Sequence, residues 1–161
     1  MCNAEKARFA VGLLLLSTGV RLSEVLHLDR EDLKHNKLIL RGDGDQERTL
    51  TLTKRARKAV ETYRASRKDP SPALFIGLQP ARRGKDANRL TPTGARYICK
   101  TISSTFHIPA FSPKQLRHTT GVLLQAEGSS PLLAASTLGL TPKSVAGYRR
   151  LARETLERAG L

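Results

Sequence analysis

Tyr148 stands in "LGLTPKSVAGYRRLAR", Leu138 to Arg153, and its phenol has the widest chemical range of any side chain in that stretch. It could pack against a neighbouring helix, hold a phosphate, or attack one. Arg149 and Arg150 follow it directly, so an anionic partner is expected for this part of the chain.

The same stretch also fits a DNA-reading device that performs no reaction. In "AASTLGLTPKSV", Ala135, Gly139 and Val145 fall where a helix-turn-helix needs a small contact residue, a turn glycine and an apolar seat. Thr141, Pro142 and Lys143 would then open a recognition helix in the major groove. On that reading Tyr148 packs or holds a phosphate.

Charge points the same way. The 161 residues hold 28 lysines and arginines against 14 acids, a net charge of +14. That excess favours a polyanionic partner. RNA-binding and peripheral membrane proteins share such a balance, but the longest apolar run, "FAVGLLLL" from Phe9 to Leu16, is far short of the roughly 20 residues a membrane span needs. It reads as a buried helix. Cys2 and Cys99 suit neither a disulfide framework nor a zinc site. No metal or cofactor is expected, and the absence of a secretory signal pattern makes a cytoplasmic, DNA-associated location the default.

The elements that must position these residues are mostly helical. Apolar periodicity predicts helices over 4–16, 21–28, 54–67, 92–104, 113–126, 131–138 and 142–158. In the second, Leu22, Val25 and Leu26 face inward. The last four begin with proline at the first helical position, and Thr91, Ser112 and Thr141 stand ready as caps. "KLILR" (37–41) and "RTLTLT" (48–53) alternate with period two around "GDGDQE" and predict a hairpin, with "ALFI" (73–76) as a third strand. "QPARRGKDANR" (79–89) reads as an exposed basic loop in which Arg82, Arg83 and Lys85 are candidate DNA contacts, alongside Lys143, Arg149 and Arg150. The expected fold is mainly α with a small antiparallel β-sheet, an α+β arrangement in a single domain over residues 1–161.

Two stretches shift the weight from binding to chemistry. "STGVRLSEVLHLDREDL" (Ser17–Leu33) and "SPKQLRHTTGVLLQAEG" (Ser112–Gly128) resemble the signature boxes of the tyrosine recombinases, the phage-integrase family of site-specific DNA recombinases. In that family "TG-x-R-x-S-E" carries a first catalytic arginine and "H-x-L-R-H-T" a second. A terminal "L-G-H" with a tyrosine some nine residues later completes the set. The order and rough spacing of all three match, and the predicted hairpin falls between the first two, where the family has it.

The resemblance implies that Arg21 and Arg117 are catalytic, that Tyr148 is the nucleophile, and that the substrate is double-stranded DNA. The residue types suit that chemistry. A phenolate attacking a phosphodiester adds negative charge to the nonbridging oxygens, and two guanidiniums can bind those oxygens without losing their own charge. A 3′-phosphotyrosine ester retains the bond energy, so a strand can be rejoined without ATP or a metal. Type IB topoisomerases share this chemistry and are the alternative within the class. His118 is expected to hydrogen-bond in the core, and His27, His35 and His107 to lie on the surface.

The sequence departs from the family pattern in its proton-transfer positions. The family's hairpin lysine, its general acid, falls at Asp43 in "GDGDQER", with Arg41 or Arg48 as possible stand-ins. The histidine of "H-x-L-R" is Lys114, which keeps a cation and a proton donor and is retained as a catalytic candidate. The "L-G-H" histidine is Leu140, which donates nothing, and Leu140 lies one residue nearer the tyrosine than usual. These changes keep open a second reading, a recombinase-derived DNA-binding module with impaired catalysis. The family's N-terminal DNA-clamping domain is not expected within this sequence. By the same resemblance, tetramers on paired sites are expected, with "RETLERAGL" as the candidate docking helix.

Overall fold

The computed structural model describes residues 2–41, 47–77 and 88–160. Helix α1, Asn3–Thr18, is the spine of the core, with Ala10, Val11, Leu14 and Leu15 at most 1% exposed. Its apolar run is not buried all round: Phe9 and Leu16 reach solvent and line a groove of about 560 Å³ with Ile102, Phe106 and Ile108. Gly19 ends the helix in the left-handed conformation, φ 60°, with its N–H bonded to Leu15 O. That tight stop lets α2, Leu22–His27, start after only two intervening residues. Val25 of α2 is fully buried, and Leu22 and Leu26 are half-buried against the same core.

A single 3-10 turn, Arg30–Asp32, leads into a three-stranded antiparallel sheet of β1 (Leu33–Lys34), β2 (Lys37–Arg41) and β3 (Glu47–Thr51) in that spatial order. The register runs from Lys37 opposite Thr51 to Arg41 opposite Glu47, and the alternation sends Leu38, Leu40 and Leu50 into the core. The hairpin is therefore as expected, with its outer strand ending at Thr51. The third strand is not. Residues 73–76 form only isolated bridges, Ala73 to Asp29 and Ile76 to Arg89, while β1 supplies the third strand. The physical reason is visible in the hydrogen bonding: each side of the segment pairs through one bridge only, and the Arg67 guanidinium takes Ala73 O and Leu74 O, so no continuous ladder forms.

Arg67 holds this crossing in place. Its buried guanidinium donates to Ala73 O and Leu74 O and grips Asp69. The hydrogen bond from Arg67 is the main reason the Asp69 carboxyl is held down at about 2.

Helices α3 (Lys54–Ser66), α4 (Pro92–Thr105) and α5 (Pro113–Ala126) pack on α1. Helices α6 (Pro131–Leu138) and α7 (Pro142–Arg158) follow. Thr91, Ser112, Ser130 and Thr141 each accept a backbone N–H at the helix they precede, as the Ser/Thr–Pro spacing predicts. Ala135 and Val145 are buried in a small cluster with Ala134, and Gly139 makes the turn between α6 and α7 at φ 60°. The helix-turn-helix arrangement of those three residues is thus present. Leu156, near the end of α7, is half-buried within its own chain.

Candidate active site

Three arginines and one carboxylate, far apart in the sequence, converge where α1, α2, β3, α5 and the end of α6 meet. Glu24 of α2 is 4% exposed and is the pivot. Its Oε2 accepts the Arg21 backbone N–H at 2.6 Å, and its Oε1 lies 3.5 Å from Arg21 Nη1. Arg48 of β3 meets both of its oxygens, Nε to Oε1 at 3.1 Å and Nη2 to Oε2 at 3.0 Å. The remaining donors turn to helix ends, where carbonyls lack intrahelical partners. Arg48 Nη1 donates to Ser136 O and Thr137 O, and Arg21 Nη2 to Gly139 O, all at the C-terminus of α6. Arg117 Nη1 donates to Gly19 O just past the C-terminus of α1. Each guanidinium is thereby aimed by a backbone group that cannot rotate away.

Gly139 is small because the arginines need the room. A Cβ there would sit 2.9 Å from Arg48 Nε and 3.0 Å from Arg21 Nη1. Burial pushes the Arg117 guanidinium below its ordinary value; Arg21 adds to that, Tyr148 and Glu24 oppose it, and Arg48 contributes a further repulsion. One carboxylate among three guanidiniums leaves a positive excess at a partly buried location, which suits an anion.

Tyr148 of α7 lies against the same helix as Arg117. Its half-buried ring covers the backbone of Gly121, where an added Cβ would come within 2.8 Å of Cδ1 and Cε1. His118 flanks it, ring centroids 5.5 Å apart and planes tilted by 59°. The expectation for His118 is corrected here: it is exposed and borders the tyrosine instead of bonding within the core. Its position in α5 explains this, because Thr120, two residues on, takes the inward place and donates to Leu16 O at 2.7 Å.

The structure therefore brings Arg21, Arg117 and Tyr148 together. Lys114 is exposed in the first turn of α5, three residues before Arg117 and so on the same side of that helix. Lys143, Arg149 and Arg150 are exposed on α7, and Arg150 Nε lies 3.9 Å from Glu154. Leu140 is half-buried beside the turn, its N–H bonded to Ala135 O. Arg82, Arg83, Lys85 and Asp43 lie outside the described residues. Neither suggested stand-in for the lysine is unengaged: Arg41 pairs with Asp32 at 2.7 Å and Glu47 at 3.2 Å, and Arg48 spends its fork on Glu24 and α6. Gly19 and Gly121 are site residues that the sequence motifs left unremarked, and Gly139, expected only as a turn glycine, also makes room for the arginines. Among the described residues no cluster suits a metal ion, His27, His35 and His107 are exposed, and Cys99 is buried with its thiol pushed up to about 11 by burial.

The phage integrase family model matches residues 2–154. The chain belongs to the phage integrase family. A tyrosine recombinase XerC of Mycobacterium sp. (strain KMS) is 31% identical over 142 residues, covering 80% of this chain and 45% of that protein. A tyrosine recombinase XerA of Pyrococcus horikoshii is 31% identical over 157 residues, covering 92% and 53%. The chain thus spans about half the length of these relatives. Among solved structures, XerH site-specific recombinase bound to palindromic difH substrate in a post-cleavage complex superposes with TM-score 0.78 at 18% identity, over 99% of this chain and 46% of that one. XerA recombinase gives 0.77 at 19% identity, over 97% and 57%. Both share the fold, mainly helical with a small antiparallel sheet. No helix among the described residues is long and apolar enough to cross a membrane.

Proposed function

We propose that this chain is the catalytic domain of a site-specific DNA recombinase that cleaves and rejoins double-stranded DNA through Tyr148. The observation that carries the reading is the convergence of Arg21, Arg117 and Tyr148, in which α5 supplies both a guanidinium and the surface under the phenol ring. The scissile phosphate binds on the open side of Arg21 and Arg117, whose other donors are tied to Gly139 O and Gly19 O. The Tyr148 hydroxyl gives its proton to water and its oxygen forms a bond to phosphorus; the bond to the 5′ oxygen breaks, and that oxygen takes up a proton from Lys114. Charge accumulating on the nonbridging oxygens is met by the two guanidiniums. Rejoining is the reverse, with a 5′ hydroxyl of the same or another strand as the attacking group.

Lys114 is the donor we assign to the leaving oxygen, because it is exposed on the Arg117 side of α5. Lys143, Arg149 and Arg150, with Arg82, Arg83 and Lys85, contribute phosphate contacts. The family's tetrameric arrangement on paired sites is part of the same proposal, with the C-terminal helix as its contact.

One specific observation favours a second reading, a DNA-binding module that does not cut. Leu140 occupies the turn beside Gly139 where the family pattern has a histidine, and it offers the phosphate no hydrogen bond. A duplex nicked next to the cleavage position separates the two: an enzyme becomes trapped on the DNA, whereas a binding module dissociates intact.

A further inference from the structure

Helix α3 carries a second cationic surface that the site does not use. Ala56, Ala59, Val60 and Tyr63 turn inward, so Lys54, Arg55, Arg57, Lys58 and Arg64 are left exposed on the outer face with Glu61 as the one acid of the helix. Arg57 Nε lies 3.7 Å from Glu61. Among the described residues, no ion pair involves Lys54, Arg55 or Lys58.

These charges lie in the first five residues of the helix, where the macrodipole is positive and acids are the favoured residues. No acid stands in that first turn, and Thr53 already caps it through Ala56 N. The helix dipole does not stabilise cations there, so this face favours an external anion. The packing also says where. Asn3 Nδ2 donates to Ser66 O at 3.1 Å, joining the start of α1 to the end of α3. The two helices therefore run antiparallel, and the cationic turns of α3 lie toward the end of α1 that carries Gly19 and receives Arg117.

We infer that the outer face of α3 around Lys54, Arg55 and Lys58 binds the phosphate backbone of duplex DNA flanking the scissile position. The inference rests on the reading that this chain acts on duplex DNA and adds a contact surface outside the reacting centre. These residues position the duplex and touch no reacting atom.

The test is a variant carrying Lys54→Gln, Arg55→Gln and Lys58→Gln, titrated against duplex DNA across a range of salt. Removing cations from a helix start should leave thermal stability equal or slightly raised, so loss of fold is not a confounding outcome. If each side chain meets one phosphate, binding weakens and the slope of log affinity against log salt becomes shallower by about 2.7. At saturating DNA, trapping on the nicked duplex should match the unaltered chain. Unchanged affinity and slope would overturn the inference. So would a variant that loses affinity for heparin but not for duplex DNA, since the face would then serve another polyanion. Failure of the unaltered chain to bind duplex DNA would remove the parent reading instead.

Discussion

Glu24 holds Arg48 through both carboxylate oxygens, at 3.1 and 3.0 Å, while its own side chain is 2% exposed. The pair joins α2 to β3, and the remaining Arg48 donors carry the connection on to the C-terminus of α6. Removing Arg48 leaves the buried Glu24 carboxylate with only its Arg21 contacts. Arg48→Met is expected to destabilise the fold by about 3 kcal/mol, read as a lower urea midpoint at unchanged slope. Arg48→Lys should recover little of this, since one ammonium cannot replace a five-donor fork.

Gly121 leaves no space for a side chain beneath Tyr148. Gly121→Val should push the phenol off α5, so that trapping on nicked DNA is lost while duplex affinity stays within about threefold, an effect under 1 kcal/mol. Reactivity of Tyr148 toward nitration should change in the same variant. An unaltered trapping rate would mean that the ring position does not matter.

Lys114 as proton donor makes a chemically selective prediction. Lys114→Ala should slow cleavage by about 10²–10⁴-fold on ordinary DNA. On a substrate whose leaving 5′ oxygen is replaced by sulfur, which departs without a proton, the loss should largely disappear. Equal slowing on both substrates would assign Lys114 to phosphate binding.

Asp69 links the 67–76 crossing to pH. Its carboxyl is depressed to about 2, chiefly by the hydrogen bond from Arg67, against about 3.9 for an unfolded aspartate. A depressed folded value means that the stabilisation is fully present above pH 4 and is lost as pH falls through 2. Asp69→Asn should therefore be less stable than the unaltered chain at pH 6, with the gap in urea midpoint narrowing between pH 4 and pH 2.

Much of the helical frame was legible because its signals are local. Four of the five Ser/Thr–Pro pairs, all but Ser71–Pro72, both cap and start a helix, so the onsets of α4 to α7 are legible in dipeptides. Residues 73–76 read as a strand because Leu74 and Phe75 are apolar and buried, yet the segment pairs through a single bridge on each side, with Arg67 taking Ala73 O and Leu74 O. The two-residue β1 is too short to show a period. At the site, Arg21, Arg117 and Tyr148 were visible through motif spacing. The glycine carbonyls that aim the arginines were not, since the Arg21–Gly139 contact spans 118 positions and depends on φ values that no residue type specifies uniquely. His118 is exposed for a related reason: residues two apart on a helix face nearly opposite sides, and Thr120 takes the inward place.

Covalent attack by Tyr148 can be read by incubating the chain with duplex DNA nicked beside the cleavage position, digesting the product, and finding by mass spectrometry which peptide carries a nucleotide. The expected product is a 3′-phosphoryl adduct on Tyr148, absent from Tyr148→Phe and reduced by about 10²-fold or more in Arg117→Ala. Tight binding with no adduct, and with Tyr148→Phe indistinguishable from the unaltered chain, would contradict covalent attack by Tyr148.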